Sequence, residues 1–544
     1  MLGTMMSYPL TLTQILEHAH SIHGEKQVHT LLPNGKVHTY NYAMLYRRVK
    51  QLANAITELG IRPGDRVATF ASNTYQHLEI YCAVPYAGAI IHPLNVRLAP
   101  TQLAKIVEEA DDKFIFVDGT CAAQFSQLQY KIDCRRVVLF NANHVHDKNL
   151  TDLSIDYENI IAEADENYIS DIQDENWAMA LCYTSGTDGE PKGVLYTHRS
   201  MFLHTLAVNQ ADVFGLTESD VVIPLVPMFH AIGWGLPYAS MFVGADIVLA
   251  DANHERIVDC IADTRTTIAA GVPTVWARLL PELRKRKQDI SSLRRLIVGG
   301  EPMPSSLIEA YEKELGVEVR HAWGMTEMSP TGTFCTLRKA HQNLPDDEKW
   351  EIKAMQGRPI PGVQMRLVNE NGTELPWDGK TIGEIQVRSP WTASSYYKNQ
   401  PTPEHFTADG WLRTGDLATI NPEGYMQIVD RAKALIRSGG ESISTVALEN
   451  VLLKHPHVGD AAVIGVPNEK WGERPIAVVV LSSKTNENIS EILKCHLASE
   501  FPKFWIPDRF IIVDEIPKTG VGKTDKQAII ELITASQKGE LLSK

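Results

Sequence analysis

The sequence lacks most of the features that place a protein quickly. No C-x-x-C occurs, and seven cysteines, at positions 82, 121, 134, 182, 260, 335 and 495, lie far apart in 544 residues. That odd, scattered set argues against a disulfide framework and a zinc module, and predicts reduced thiols in the core. Three His-x-His pairs (His18/His20, His144/His146 and His455/His457) are read as solvated surface histidines by the metal-spacing criterion. Basic charge is also short: 52 Lys and Arg stand against 66 Asp and Glu, a net charge of −14. Nucleic acid and anionic membranes call for basic patches, so neither is an expected partner. An anionic small ligand is still allowed, because one local site can be positive inside an acidic protein. No long hydrophobic run is present. The most apolar stretch, "IYCAVPYAGAIIHPLNV", is broken by Pro85, Gly88 and His92, so no transmembrane segment is expected. The first twenty residues lack the basic start and apolar core of a signal peptide, which predicts a cytoplasmic protein.

What is present is an ordinary globular composition, 44% hydrophobic and 22% charged, in a chain long enough for about three or four domain-sized units. From Asn41 the apolar residues Leu45, Val49, Leu52, Ala53, Ile56 and Leu59 recur at helical spacing, with Asn41 placed to cap the helix and Gly60 to end it. Short β-branched runs then alternate with helical stretches: "RVATF", "KFIFVD", "RVVLF", "AMALCY", "DIVLA" and "RRLIVGG". This alternation predicts an α/β fold, with a large N-terminal body of helix-covered β-sheets. Near Asp430 the pattern changes. A short basic, glycine-bearing stretch precedes helix, strand, strand, helix and strand signals. We therefore expect a body over 1–430, a hinge over 431–435, and a small mobile α+β C-terminal domain over 436–544.

The strand "AMALCY" leads into "TSGTDGEPKG", and "THRSMFLHTLAV" reads as a helix beyond it. Glycines let backbone N–H groups converge on an anion, hydroxyls add donors, and Lys192 adds a cation: the chemistry of a phosphate loop. It is not a Walker A loop. Counted from Gly186, Pro191 stands at the second glycine and Gly193 follows the lysine. Five further clusters follow in order: "GGEPMP" (299–304), "HAWGMTEMSP" (321–330), "GWLRTGD" (410–416), "DRAKALIRSGGES" (430–442) and "PKTGVGK" (517–523).

Taken together, these clusters resemble the signature series of the adenylate-forming superfamily of acyl-CoA synthetases, luciferases and peptide-synthetase adenylation domains. "CYTSGT", "VPMFHAIGWGLPY" and "RSGGESIS" are most similar to the medium- and long-chain fatty-acid CoA ligases. The resemblance implies an AMP-forming ligase in two steps. A carboxylate attacks the α-phosphate of ATP to give acyl-adenylate and pyrophosphate, and CoA then displaces AMP. Adenylation turns a poor leaving group into a good one, so the enzyme's work is positioning and charge neutralisation.

The resemblance also implies roles. Thr184, Ser185, Gly186, Thr187, Gly189 and Lys192 would cradle the β- and γ-phosphates, while Glu327 and Thr184 would hold Mg2+. Gly300, Glu301 and Pro302 would face His321, Ala322, Trp323, Gly324, Met325 and Thr326 across an adenine slot, with Trp323 as the aromatic plane. Asp416 and Arg431 would take the ribose hydroxyls, where two carboxylate oxygens suit a vicinal diol. Lys433 would be the hinge. Lys523 would reach the carboxylate and α-phosphate, with Glu327 and His230 also in the catalytic set. The lid would then turn and present Ser438, Gly439 and Gly440 to CoA. His230 and Trp234 would stand at the mouth of an acyl tunnel lined by Val226, Val272 and Trp276. Similar enzymes often pair, so a homodimer is among the expectations.

Three departures from the pattern stand out: Asp188 for a threonine in the phosphate loop, Ala434 for an acidic residue after the hinge lysine, and Ser442 for a tryptophan. A carboxylate about 4 Å from a phosphate would be repelled by roughly 4 kcal/mol at an effective dielectric near 20. Asp188 is therefore expected to face outward in an Asx-type turn. The rival readings are a ligase for a short or aryl acid such as methylmercaptopropionate, an acyl-AMP ligase serving a carrier protein, and a non-catalytic nucleotide-binding regulator. Trp276 and Trp391 could shorten the tunnel and favour the first of these.

Overall fold

Asn41 starts the first long helix through its side chain, which accepts the Met44 N–H at 2.9 Å. The helix runs Tyr42–Glu58 and buries Leu45, Val49, Leu52, Ala53 and Ile56 on one face, as the spacing predicts. In the computed structural model the described residues are 1, 3–132, 136–145, 148–184, 191–252, 255–285, 288–431, 435–438, 441–468, 470–483, 488–519 and 523–537.

Two large, mostly parallel sheets form the body. One has seven strands, with Arg66–Phe70, Ile90–Pro93, Asp112–Asp118, Arg136–Phe140 and Ala178–Tyr183 among them. The other has nine, and its parallel centre includes Val221–Pro224, Ile268–Gly271, Arg295–Val298 and Glu318–Gly324. Helices Leu12–His23, Tyr42–Glu58 and Tyr75–Tyr86 share one hydrophobic core with strands of both sheets. Tyr75–Tyr86 carries the start of the apolar stretch noted above and is buried on nearly every side, which is why its sequence shows no polar face. No helix among the described residues is long and apolar enough to cross a membrane.

Two features were not anticipated. Gly193–Thr197 is a strand, antiparallel to Ala178–Tyr183, so the glycine-rich loop joins a hairpin rather than a strand and a helix. The helix follows at His198–Val208, capped by Thr197 and Ser200 in a reciprocal box. Second, Gln364–Val368, Gly383–Arg388, Leu412–Ile420 and Met426–Arg431 form a separate four-stranded antiparallel sheet. Their alternation is period two with one solvated face, a weaker signal than the continuous apolar runs of the buried strands.

The chain changes sheets between Arg431 and Ile436. From Ile436 it builds a five-stranded sheet with its own core and the helices Thr445–Leu453, Ile489–Ala498 and Lys526–Gln537. Body and C-terminal unit are tied beside that crossing: the Asp430 carboxylate accepts the Thr445 N–H at 2.7 Å and its hydroxyl at 2.9 Å. Cys82, Cys121, Cys182, Cys260 and Cys335 are buried free thiols, but Cys495 is exposed. It follows Leu493 on helix Ile489–Ala498, two positions round from that buried residue and on the solvent side.

Candidate active site

The parallel strands Arg295–Val298 and Glu318–Gly324 deliver the segments 299–304 and 325–330 from their carboxyl ends. Ligands of such sheets bind beyond those ends. A cleft of about 500 Å³ lies there, closed on its far side by the four-stranded sheet and by Lys523 of the C-terminal unit. Thr184, Lys192, His230, Trp234 and Gly300 line it, together with 322–327, Arg431 and Lys523.

The phosphate-loop candidate is pinned at both ends. The Thr184 N–H donates to the Lys192 carbonyl at 2.9 Å, and the Lys192 N–H to the Thr184 hydroxyl at 3.0 Å. Ser185, Gly186, Thr187, Asp188 and Gly189 lie outside the described residues. The Lys192 ammonium meets His405 Nε2 at 2.6 Å and stands 5.0 Å from the centre of the Tyr396 ring, which also makes an edge contact with His405. The Tyr396 hydroxyl in turn donates to Glu327 Oε1 at 2.7 Å. Burial raises the Glu327 carboxyl, while Tyr396, Arg431 and Lys192 pull it back down. A buried carboxylate and a threonine hydroxyl lining the same cleft supply hard oxygen donors. This sparse set fits magnesium held mainly by nucleotide phosphates.

Trp323 Nε1 donates to Asp416 Oδ2 at 2.8 Å, and Arg431 Nε stands 3.2 Å from Oδ1; Trp323, Gly415 and Arg431 line the cleft, and Asp416 lies just behind them. Asp416 and Arg431 are paired residues of neighbouring antiparallel strands, so the sheet register sets their meeting.

His230 precedes an unusual turn, and Trp234 lies within it. Ala231–Gly235 winds left-handed, with φ of +35°, +41°, +59°, +55° and +71°. Three of these residues have side chains, and one, Ile232, is β-branched. Strain of this kind costs on the order of 1–3 kcal/mol per residue and gathers at ligand sites. Buried Asn73 staples the approach: its amide donates to the carbonyls of Pro224 at 3.1 Å and Val226 at 2.9 Å, and its oxygen accepts the Met228 N–H at 2.8 Å. The Trp234 ring comes within 3.3 Å of where a Cβ on Gly299 would sit. His230 is held neutral, its pKa lowered to about 3 by burial and by the nearby Lys523 and Arg97 charges.

Lys523 enters from the C-terminal unit. Its Cε lies 3.6 Å from the position of a Cβ on Gly300, a residue at φ +91° where a side chain would be both strained and in the way. Burial and the Arg431 guanidinium push the Lys523 ammonium below the usual lysine range, against the pull of Glu301 and Asp416. Among the described residues it has no hydrogen-bond or ion-pair partner.

Several residues expected at the site stand off the cleft. His321 lies beneath it, its ring nitrogens against the carbonyls of Ala354, Met355 and Glu301 at 3.1 Å, so it props the wall rather than contributing to it. Glu301 points at the C-terminal unit, where its Oε1 accepts the Thr524 N–H at 2.9 Å, and its neighbour Pro302 is likewise not in the lining. Trp276 is a correction. It is 1% exposed, donates to the Gly271 carbonyl at 3.1 Å and packs edge-on against Tyr311, because a buried indole N–H needs an acceptor and finds one inside the core. Val226 is core as well, and Val272 packs against the Gly300 position rather than into the cleft. Trp391 backs the wall through its bond to the Thr331 carbonyl at 3.1 Å. Ser438 belongs to the C-terminal sheet, where its hydroxyl oxygen accepts from Arg474 at 3.2 Å. Lys433, Ala434, Gly439 and Gly440 lie outside the described residues, and Ser442 is on the strand Glu441–Ile443.

Conversely, Phe214, Glu384, Tyr396, Glu404, His405 and Arg413 line the cleft without having been singled out. Arg413 sits inside the quoted "GWLRTGD". Tyr396 and His405 come from "SSYYKNQPTPEHF", a loop with no periodicity to mark it.

Residues 17–397 match the family described as AMP-binding enzyme, and residues 447–523 match the AMP-binding enzyme C-terminal domain. The chain is 39% identical to a 3-methylmercaptopropionyl-CoA ligase of Ruegeria lacuscaerulensis, over 97% of this chain and 98% of the relative. It is 41% identical to a long-chain-fatty-acid–CoA ligase of Thermus thermophilus, over 97% and 96%. Its fold matches the crystal structure of an anthranilate CoA ligase in complex with anthranoyl-AMP, with a TM-score of 0.84 at 23% identity, covering 97% of this chain and 99% of that one. With both halves of the family pattern matched, and similarity to CoA ligases along almost its whole length, the chain belongs to the AMP-binding enzyme family and is one of its AMP-forming acid–thiol ligases.

Proposed function

We propose that the protein activates an aliphatic carboxylic acid of medium or long chain, first as the acyl-adenylate and then as the CoA thioester. The observation that carries the adenylating step is the Lys523 ammonium, which has no hydrogen-bond or ion-pair partner among the described residues and is held in the same cleft as Gly300, Trp323 and Glu327. The first step brings two anions together, the acid's carboxylate and the α-phosphate of ATP. A desolvated, preorganised cation between them offsets the charge that builds in the transition state.

In the first half-reaction one carboxylate oxygen of the acid attacks the α-phosphorus, and the bond to the bridging oxygen of the β-phosphate breaks. Lys192, held by His405, and the 184–192 loop bind the departing pyrophosphate. Magnesium, when bound by Glu327 and Thr184, neutralises phosphate charge. Trp323 faces the base, and Asp416 takes the ribose hydroxyls with Arg431 beside it. In the second half-reaction the CoA thiol attacks the acyl carbon, and AMP leaves with the oxygen the acid supplied. CoA needs the space Lys523 occupies, so the C-terminal unit turns about 431–435 and presents 438–440 instead. His230, held neutral, borders the acyl entrance without adding a charge that would compete with Lys523.

A second reading, a short acid such as a methylthio-substituted propionate, is favoured by the position of Trp234. Its ring closes against Gly299, and Trp276 fills the core behind. The two readings part on chain length. CoA consumption assayed across straight acids of two to eighteen carbons and 3-methylmercaptopropionate gives a maximum at eight carbons or more on the first reading. A maximum at the shortest acids or the thioether acid replaces it with the second.

A further inference from the structure

Glu301 was expected at the adenine, and its side chain is spent elsewhere. It follows Gly300 on the loop beside the base, yet its carboxylate accepts the backbone N–H of Thr524, the residue next to Lys523, at 2.9 Å. Burial raises this carboxyl, and the Thr524 N–H, Lys523 and Lys518 draw it back. A carboxylate taken out of water is costly unless it is hydrogen-bonded, so a single well-aimed N–H matters here.

The described residues on either side of 520–522 are tied to one another. Lys518 and Thr524 pair as an antiparallel bridge, the Thr519 N–H donates to the Lys523 carbonyl at 2.6 Å, and the Asp525 N–H to the Pro517 carbonyl at 2.9 Å. The Lys523 N–H donates to the Thr519 hydroxyl at 3.2 Å. Lys518 closes the unit, standing 3.2 Å from the Thr524 hydroxyl and 2.7 Å from an Asp460 oxygen in the C-terminal sheet. Holding Thr524 therefore fixes Lys523 and, through Lys518 and Asp460, the sheet behind it.

We propose that Glu301 is a positioning residue: a latch that holds the C-terminal unit in the adenylating pose and so places Lys523 over the reacting atoms. This rests on the reading of Lys523 given above. When the unit turns for the CoA step, Thr524 leaves and the carboxylate returns to water. The bond thus stabilises one pose and not the other, and such a contact shifts the balance between them. A carboxylate serving only the packing of the loop would affect both half-reactions alike.

The test separates the half-reactions in the full-length protein. Exchange of labelled pyrophosphate into ATP with octanoate reads the first, and CoA thioester formation from supplied octanoyl-AMP reads the second. For Glu301→Ala we expect the exchange rate to fall at least tenfold relative to the thioester rate. Glu301→Gln keeps an acceptor without its charge and should shift the ratio in the same direction by a smaller factor. It also serves if the alanine variant folds poorly. The double variant Glu301→Ala/Lys523→Ala should show no loss of exchange beyond Lys523→Ala alone, because the latch acts through that lysine. An unchanged ratio in both Glu301 variants, or additive losses in the double variant, overturns the latch. No exchange by the wild-type protein, or full exchange in Lys523→Ala, overturns the underlying reading instead.

Discussion

Trp323 and Asp416 are joined by a hydrogen bond of 2.8 Å from the indole N–H to the carboxylate, so the aromatic wall and the acidic group behind it are one unit. Trp323→Phe keeps a ring but leaves Asp416 without that donor. Hydrogen bonds to charged groups contribute about 1.5–3 kcal/mol, so the KM for ATP should rise by about tenfold to a hundredfold. Asp416→Ala, which also removes one partner of Arg431, should cost more, and combining the two should cost no more than Asp416→Ala alone. Steady-state kinetics over ATP concentration measures all three.

Lys523→Ala removes the only cation that the C-terminal unit brings to the cleft lining among the described residues. Pyrophosphate exchange should fall by about 10²–10³, the usual loss when one preorganised electrostatic group is deleted. Thioester formation from supplied acyl-adenylate should be nearly preserved, since that step uses another pose.

Tyr396→Phe deletes the hydroxyl that orients Glu327. If Glu327 binds magnesium, the Mg2+ concentration for half-maximal rate should rise about tenfold, as for other outer partners of metal ligands. Titration of activity against Mg2+ at saturating ATP reads this. No shift would remove Glu327 from the metal site.

His77, His198 and His204 are buried and held neutral, with pKa values lowered to about 4, 4 and 3 by loss of water. His198 Nδ1 accepts the Leu12 N–H at 3.4 Å, which requires that nitrogen to be unprotonated. A histidine depressed in this way binds its proton more readily once unfolded. Stability is therefore complete above about pH 6.5 and declines as the pH falls toward 4, by about 1.4 kcal/mol per pH unit for each histidine. The thermal unfolding midpoint should drop between pH 7 and pH 5, and His204→Gln should make the drop shallower.

Trp234→Ala removes the ring that closes against Gly299. Its effect on the acid series should be to raise kcat/KM for the longest acids relative to the shortest, severalfold on the scale of buried methylenes. An unchanged profile places the limit on chain length elsewhere.

Much of the fold was legible because its strands are buried on both faces. "RVATF", "RVVLF" and "AMALCY" coincide with the strands Arg66–Phe70, Arg136–Phe140 and Ala178–Tyr183, since continuous apolar runs leave little room for another register. The strand Gly193–Thr197 was missed because it begins in the glycine of a loop and its Leu195 side chain is exposed. The four-stranded sheet was missed for a related reason: it alternates, and alternation over five to nine residues is faint beside a continuous apolar run.

The sequence by itself determined the order of the chemical groups: which segments carry hydroxyls and glycines, where the carboxylates fall, and which lysine ends the series. Local chemistry is written locally, and a loop needs only its own residues to be able to hold a phosphate. Tertiary structure alone decided the pairings. It gave Lys192 to His405, Glu327 to Tyr396 and Trp323 to Asp416, and it turned Trp276 into the core and Glu301 toward the C-terminal unit. Each of these contacts joins residues far apart in sequence, or aims a side chain by what packs around it, and neither leaves a periodicity along the chain. A buried donor or acceptor takes the partner that packing brings within about 3 Å, and only the folded chain sets which one that is.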